Sequence, residues 1–141
     1  MTRVAATICL ALFALAATAC EPFGDKDKEN LKKACGPAPA AMSAPPKLPG
    51  GFPDAEGITY TGVREDGPAT VASGYLDDTI GPAHEAYSRA IKSASGFSVT
   101  KEEQDEADAE VNFSGNGKSG QVKLVQACES RTNVTVTIRP A

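Results

Sequence analysis

Tryptophan is absent, histidine occurs once, methionine twice, and aromatic residues make up only 6% of the 141 positions. A broad aromatic core is excluded, and whatever core forms is thin. One histidine cannot supply the several His or Cys ligands that a zinc centre draws on. Basic residues are not in excess either, since 14 Lys and Arg stand against 18 Asp and Glu for a net charge of −4. That balance points to no nucleic-acid partner. No apolar run reaches the roughly 20 residues that a membrane-spanning helix needs, and no internal repeat is seen. The length holds one compact domain rather than two plus a leader, which excludes two-domain enzymes and doubly wound folds of ordinary size. What is present instead is glycine, at 13 positions, and proline, at 10, a composition that attaches a small core to loop-rich segments.

The start of the chain reads as an address. Arg3 precedes an almost wholly apolar run over 4–17, and Ala17-Thr18-Ala19 supplies small residues before the sequence turns polar at Glu21. A charge, an apolar stretch and a small-residue cut site form a secretory signal peptide, here over 1–19. Ala17-Thr18-Ala19-Cys20 satisfies the ordinary A-x-A rule and also resembles the cleavage site of bacterial lipoproteins, with Ala17 where that family prefers Leu. The resemblance covers about the first 20 residues. It implies lipid on Cys20 and a membrane anchor on the extracytoplasmic face of a bacterial cell envelope, and it implies no activity. Cysteine arithmetic bears on the same point. Cys9 leaves with the leader, so Cys20, Cys35 and Cys128 remain, an awkward three in an oxidising compartment. Lipid on Cys20 leaves Cys35 and Cys128 to pair with each other. The alternatives are two buried free thiols, or a bridge that uses Cys20 in an unlipidated chain.

Residues 20–57 read as a lipid-anchored tether and spacer. A mixed charge run fills 21–33, and Pro37, Pro39, Pro45, Pro46, Pro49 and Pro53 follow among small residues, a composition expected to stay extended and to bury no core. The folded domain is expected over 58–141. Ile58, Tyr60 and Gly62 alternate with Thr59, Thr61 and Val63; a second alternating run over 70–76 completes a hairpin. Asp77 and Asp78 offer capping oxygens to a helix over 79–95, where Pro82 is tolerated in the first turn and Gly96 ends it. Ile80, Ala83, Tyr87, Ala90, Ile91 and Ala94 share its apolar face, opposite Glu85, Arg89 and Lys92. Four more strands are expected over 97–101, 109–114, 120–127 and 133–139, with Asn116-Gly117 turning the middle pair. Val134, Val136 and Ile138 alternate with Thr135 and Thr137 in the clearest of them. The fold class is therefore α+β: an antiparallel sheet made of a hairpin and a four-strand meander, with one helix packed on one face.

Candidate chemistry is sparse. Any Ser-His-Asp relay or Cys-His pair must use His84, which lies at the margin of the helix's apolar face. Gly117-Lys118-Ser119 matches the end of a phosphate-binding loop but sits between strands. Ser98-Val99-Thr100-Lys101 has S-x-x-K spacing without its companion motifs. The acidic run from Glu102 through Glu103, Asp105, Glu106 and Asp108 to Glu110 lacks a calcium-loop pattern and reads as a solvated hairpin tip. Asn112-Phe113-Ser114 and Asn133-Val134-Thr135 are glycosylation sequons in form, without meaning behind a bacterial leader. No catalytic residue, metal ligand or cofactor is expected. The function expected is a surface-tethered binding or protein-interaction module, held to the membrane through Cys20 and meeting an envelope protein partner. The alternatives are a purely structural envelope component and, last, a small hydrolase using His84.

Overall fold

A computed structural model describes Glu29 and residues 31–141. The leader 1–19 and Cys20 lie outside the described residues. Strands β1 (Thr59–Asp66) and β2 (Ala69–Leu76) form the hairpin, helix α1 (Ile80–Ser93) follows, and β3 (Phe97–Gln104), β4 (Asp108–Gly115), β5 (Lys118–Cys128) and β6 (Arg131–Pro140) form the meander. They make one antiparallel sheet in the order β1-β2-β6-β5-β4-β3, with the helix on one face. The fold is α+β as the residue pattern implies. What alternation alone leaves open is the joint between hairpin and meander. β6 returns to pair with β2, Thr70 opposite Ile138 and Leu76 opposite Thr132.

The alternation of β5 and β6 sets the two faces. Val122, Leu124, Val134, Val136 and Ile138 point inward and are buried. Ala83, Tyr87 and Ile91 of α1 join them in the same core. Gly120 occupies an inward slot for a steric reason: a Cβ there would lie 2.7 Å from the Phe113 ring. Asn116 and Gly117 adopt positive φ, 48° and 69°, as the β4–β5 turn requires.

Two expectations need correction. The first concerns the Pro-rich spacer, which does contribute to the core. Leu48, Phe52 and Ala55 are buried there, and Phe52 packs on Phe113 at 4.4 Å and edge-on to Phe97 at 5.8 Å between ring centroids. Residues 33–57 form a strap on the sheet. The Met42 amide donates to the Tyr60 carbonyl, 2.7 Å away beside β1, and the Asn116 side chain reaches the Gly50 carbonyl at 3.2 Å in the β4–β5 turn. Prolines had argued against burial, yet they also lower the entropy lost when an extended segment is laid down, so two large apolar side chains suffice to seat it. Its start is held at the other end of the sheet, where Cys35 and Cys128 stand at disulfide distance with Cα atoms 5.1 Å apart. The Glu129 amide bonds to the Lys33 carbonyl at 2.9 Å beside them.

The second correction concerns the helix start. Neither Asp77 nor Asp78 caps α1 with its side chain. The Ile80 amide instead donates to Oε1 of Gln126 at 2.9 Å, from an inward position on β5. Asp77 is drawn to Arg131 at 2.9 Å, and the Asp78 carbonyl accepts from the Thr132 hydroxyl at 2.9 Å. A tertiary partner has taken the role that local sequence assigned to the aspartates.

These contacts set the expected stabilities. Phe52→Ala should lower the free energy of urea unfolding by about 3 to 5 kcal/mol, whereas a change in a loose spacer would stay within about 0.5. Replacing Cys35 and Cys128 together by Ser should cost roughly 4 to 5 kcal/mol on the chain-entropy relation, because their link closes a loop spanning 93 positions.

Candidate functional site

His84 lines a shallow depression of about 460 Å³ together with Ser88, Lys92 and Glu102. One turn further along α1, Ser88 is buried and donates its hydroxyl to Oε1 of Glu102. Lys92, another turn on, places Nζ 3.0 Å from the same carboxylate. The Ser88 hydroxyl first, then Lys92, hold Glu102 below the usual carboxylate range. Glu102 reaches the helix side because a bulge between Val99 and Lys101 shifts the alternation of β3. His84 Nε2 is buried with no hydrogen-bond partner. A nucleophilic serine must give its proton to a base that can keep it; here it is shared with a carboxylate that an ammonium already neutralises. The arrangement fastens the helix to β3. The S-x-x-K pair is likewise engaged elsewhere, Ser98 with the Ser114 carbonyl at 3.5 Å and Lys101 with Glu103 at 2.6 Å.

The acidic run divides in the same way. Glu102 and Glu103 belong to β3 and Glu110 to β4, so only 105–107 form the turn. Glu103, Asp105, Asp108 and Glu110 line an open depression of about 520 Å³ with Lys123. Among the described residues, no three His, Cys, Asp or Glu side chains are grouped to hold a metal ion. The depression opens on the sheet face turned away from α1, which is polar. Register places Thr137, Gln121 and Asn112 side by side across β6, β5 and β4, and Thr135, Lys123 and Glu110 in the next row. Val71, Val125 and Tyr75 are apolar residues of this face, Tyr75 being covered by the Arg131 guanidinium 5.1 Å from its ring centre.

The helix side carries a further concavity. Where α1 and the returning strap diverge, a groove of about 600 Å³ is lined by Asp54, Glu56, Asp78, Glu85, Ala86 and Arg89, among others. Beneath it Tyr60 donates its hydroxyl to Asp54 Oδ1 at 2.7 Å. The Tyr87 hydroxyl is fully buried beside this pair, with the Tyr60 hydroxyl as its polar neighbour short of good hydrogen-bonding geometry. Burial pushes both phenols well above the ordinary tyrosine value, reinforced at Tyr60 by Tyr87 and the Asp54 carboxylate. Residue patterns gave no warning of Asp54, which sits among prolines and glycines; Ser88 was signalled only by lying next to the apolar face.

No protein-family model, curated protein or solved structure matches the chain. Among the described residues no helix is long and apolar enough to cross a membrane.

Two titrations test these sites. A phenol whose folded value is raised favours the native state until pH climbs past about 10, the unfolded value, and the advantage fades towards the folded value. Absorbance at alkaline pH should therefore show Tyr60 and Tyr87 ionising only as the protein unfolds. Tyr87→Phe should be neutral or stabilising by about 1 kcal/mol, since it removes an unpaired buried hydroxyl, while Tyr60→Phe should cost about 1. Glu102 runs the opposite way, its contribution present above about pH 4.3 and lost as pH falls through its lowered value. Because the pair is partly exposed, Glu102→Gln should cost less than about 1 kcal/mol at pH 7, and the cost should shrink as pH falls below the usual carboxylate range, measured by urea unfolding at each pH.

Proposed function

We propose that the chain is a lipid-anchored envelope protein whose α+β domain is a non-catalytic binding module for a protein partner. The observation that carries this reading is the fastening of the strap to the sheet at Cys35 and Cys128. A tether leaving Cys20 meets the domain after only 14 intervening residues, a reach of about 50 Å when fully extended. The rest of the Pro-rich segment lies on the domain instead of lengthening the tether. Anchor and domain therefore move as a short-leashed unit, and the polar sheet face and the groove beside α1 are among the surfaces left open. The signal-like leader, the cysteine count and the small-residue cut site support the anchor. The binding module is preferred here to the hydrolase alternative on the ground that the Ser88 hydroxyl donates to Glu102 rather than to His84.

Diacylglyceryl attachment with two or three chains anchors stably, at about 0.8 kcal/mol per buried CH₂. Cells fed a clickable fatty acid should label the wild type and not Cys20→Ser, and the variant should leave the membrane fraction. Equal labelling of both would sink the anchor. Mass mapping of a non-reduced digest should find Cys35 joined to Cys128; a bridge containing Cys20 would overturn the same reading. A photo-crosslinker on the domain should capture a discrete envelope protein, and failure to do so from either the sheet face or the groove would count against a protein-binding role.

A further inference from the structure

We infer that the link between Cys35 and Cys128 makes β6 the strand that takes tension between the membrane and the far end of the domain, so that the domain and its binding surfaces stay folded under a pull. The inference rests on reading that cysteine pair as a bridge and Cys20 as the anchor. The first observation is where the tether joins the sheet. Cys128 ends β5 and stands opposite Arg131, the first residue of β6. At the same place the Glu129 amide donates to the Lys33 carbonyl at 2.9 Å, and Arg131 Nη1 donates to the Gly36 carbonyl at 3.1 Å. A pull arriving through the tether therefore enters the chain at the foot of β6, with Glu129 and Ser130 between.

The second observation is where β6 leads. It crosses the sheet to Pro140, which stands opposite Lys118, and the Ala141 amide bonds to the Gly117 carbonyl at 3.1 Å in the turn at that end. With the bridge closed, the short covalent path from Cys35 to Ala141 is Cys128, Glu129, Ser130 and β6. A strand already rises about 3.4 Å per residue. That is close to the ~3.6 Å limit of an extended chain, so this path lengthens by only about 10 Å before it is taut. Tension applied at its two ends is balanced inside the β6 backbone. The strap beyond Cys35, α1 and the other five strands lie on the branch that the bridge closes, and they bear none of it.

Opening the bridge puts that branch in series with the tether. The strap is then met first, and its attachments follow one another along the chain: the Met42 amide on the Tyr60 carbonyl, then Leu48 and Phe52 in the core, then Asp54 on the Tyr60 hydroxyl. Contacts loaded one at a time give way singly. Next in line is β1, an edge strand with a neighbour on one side only.

Optical tweezers test this on the mature full-length chain, with DNA handles on the Cys20 thiol and on a ligase tag placed after Ala141. A non-reduced digest of the same sample shows which cysteines are joined. Bridged molecules should lengthen by no step greater than about 10 Å at any force the handles withstand. Dithiothreitol added to molecules already folded should let the same pull release roughly 300 Å or more, out of the ~380 Å that residues 36–141 span when extended. Cys35→Ser with Cys128→Ser should behave like the reduced wild type. A release of that size from molecules whose digest joins Cys35 to Cys128 would overturn the load path and leave the bridge standing. Reduced molecules that lengthen no further than bridged ones would do the same. A digest with both thiols free, or with Cys20 joined to either, would overturn the bridge and the load path together. The anchor is tested apart from these traces, by the fatty-acid labelling of Cys20.

Discussion

Six strands spaced about 4.8 Å apart make a sheet roughly 24 Å across, and a single helix with its side chains covers about 10 to 12 Å of that width. The mismatch governs this molecule. α1 lies over β3, β4 and β5 and barely reaches β6, so part of the inner face would meet water unless something else lay on it. Burial of apolar surface is worth about 25 cal/mol per Å², enough to recruit a segment with almost no regular structure of its own. The strap adds Leu48, Phe52 and Ala55 to that face, running from Met42 beside Tyr60 of β1 to Phe52 on Phe97 and Phe113 of β3 and β4. Phe52 closes a cluster with Phe97 and Phe113 that neither the sheet nor the helix completes alone.

Each seam between sheet, helix and strap is secured by a polar contact. Gln126 holds the start of α1, Ser88 and Lys92 hold its flank to Glu102, and Tyr60 holds the returning strap through Asp54. Buried polar groups of this kind favour one arrangement over near-equivalent packings when every member is paired. Gln126 meets that condition, since its amide also donates to the Cys128 carbonyl at 3.0 Å. Tyr87 does not, and it lies at the seam where helix and strap draw apart.

What could be read from the residues follows from how local each cause is. The inward alternation of Val134, Val136 and Ile138, the apolar stripe from Ile80 to Ile91 and the turn at Asn116-Gly117 depend on neighbours a few residues away, and all appear where expected. Phe52 and Leu48 carried no period, so their burial depended on a face that exists only after the sheet forms. Gln126 left a trace that went unused: it continues the inward series of Val122 and Leu124, and a polar residue in such a slot signals a buried partner. Glu102 was hidden by the bulge in β3, because alternation counted through it assigns that side chain to the wrong face. Asp54 and Tyr87 meet only through the strap. That part of the candidate site could not be read before the strap's course was known.

The pairing of β6 with β2 has a bearing on how the chain acquires its shape. β6 is the final strand in sequence but an interior strand in space, flanked by β2 on one side and β5 on the other. Until it arrives, the hairpin and the rest of the meander are separate fragments with raw edges facing each other, and no order of local events can join them. Contacts of such long sequence separation make folding slow. The pairing of β6 with β2 is therefore what makes one sheet of the two parts, a property of the whole chain rather than of either part.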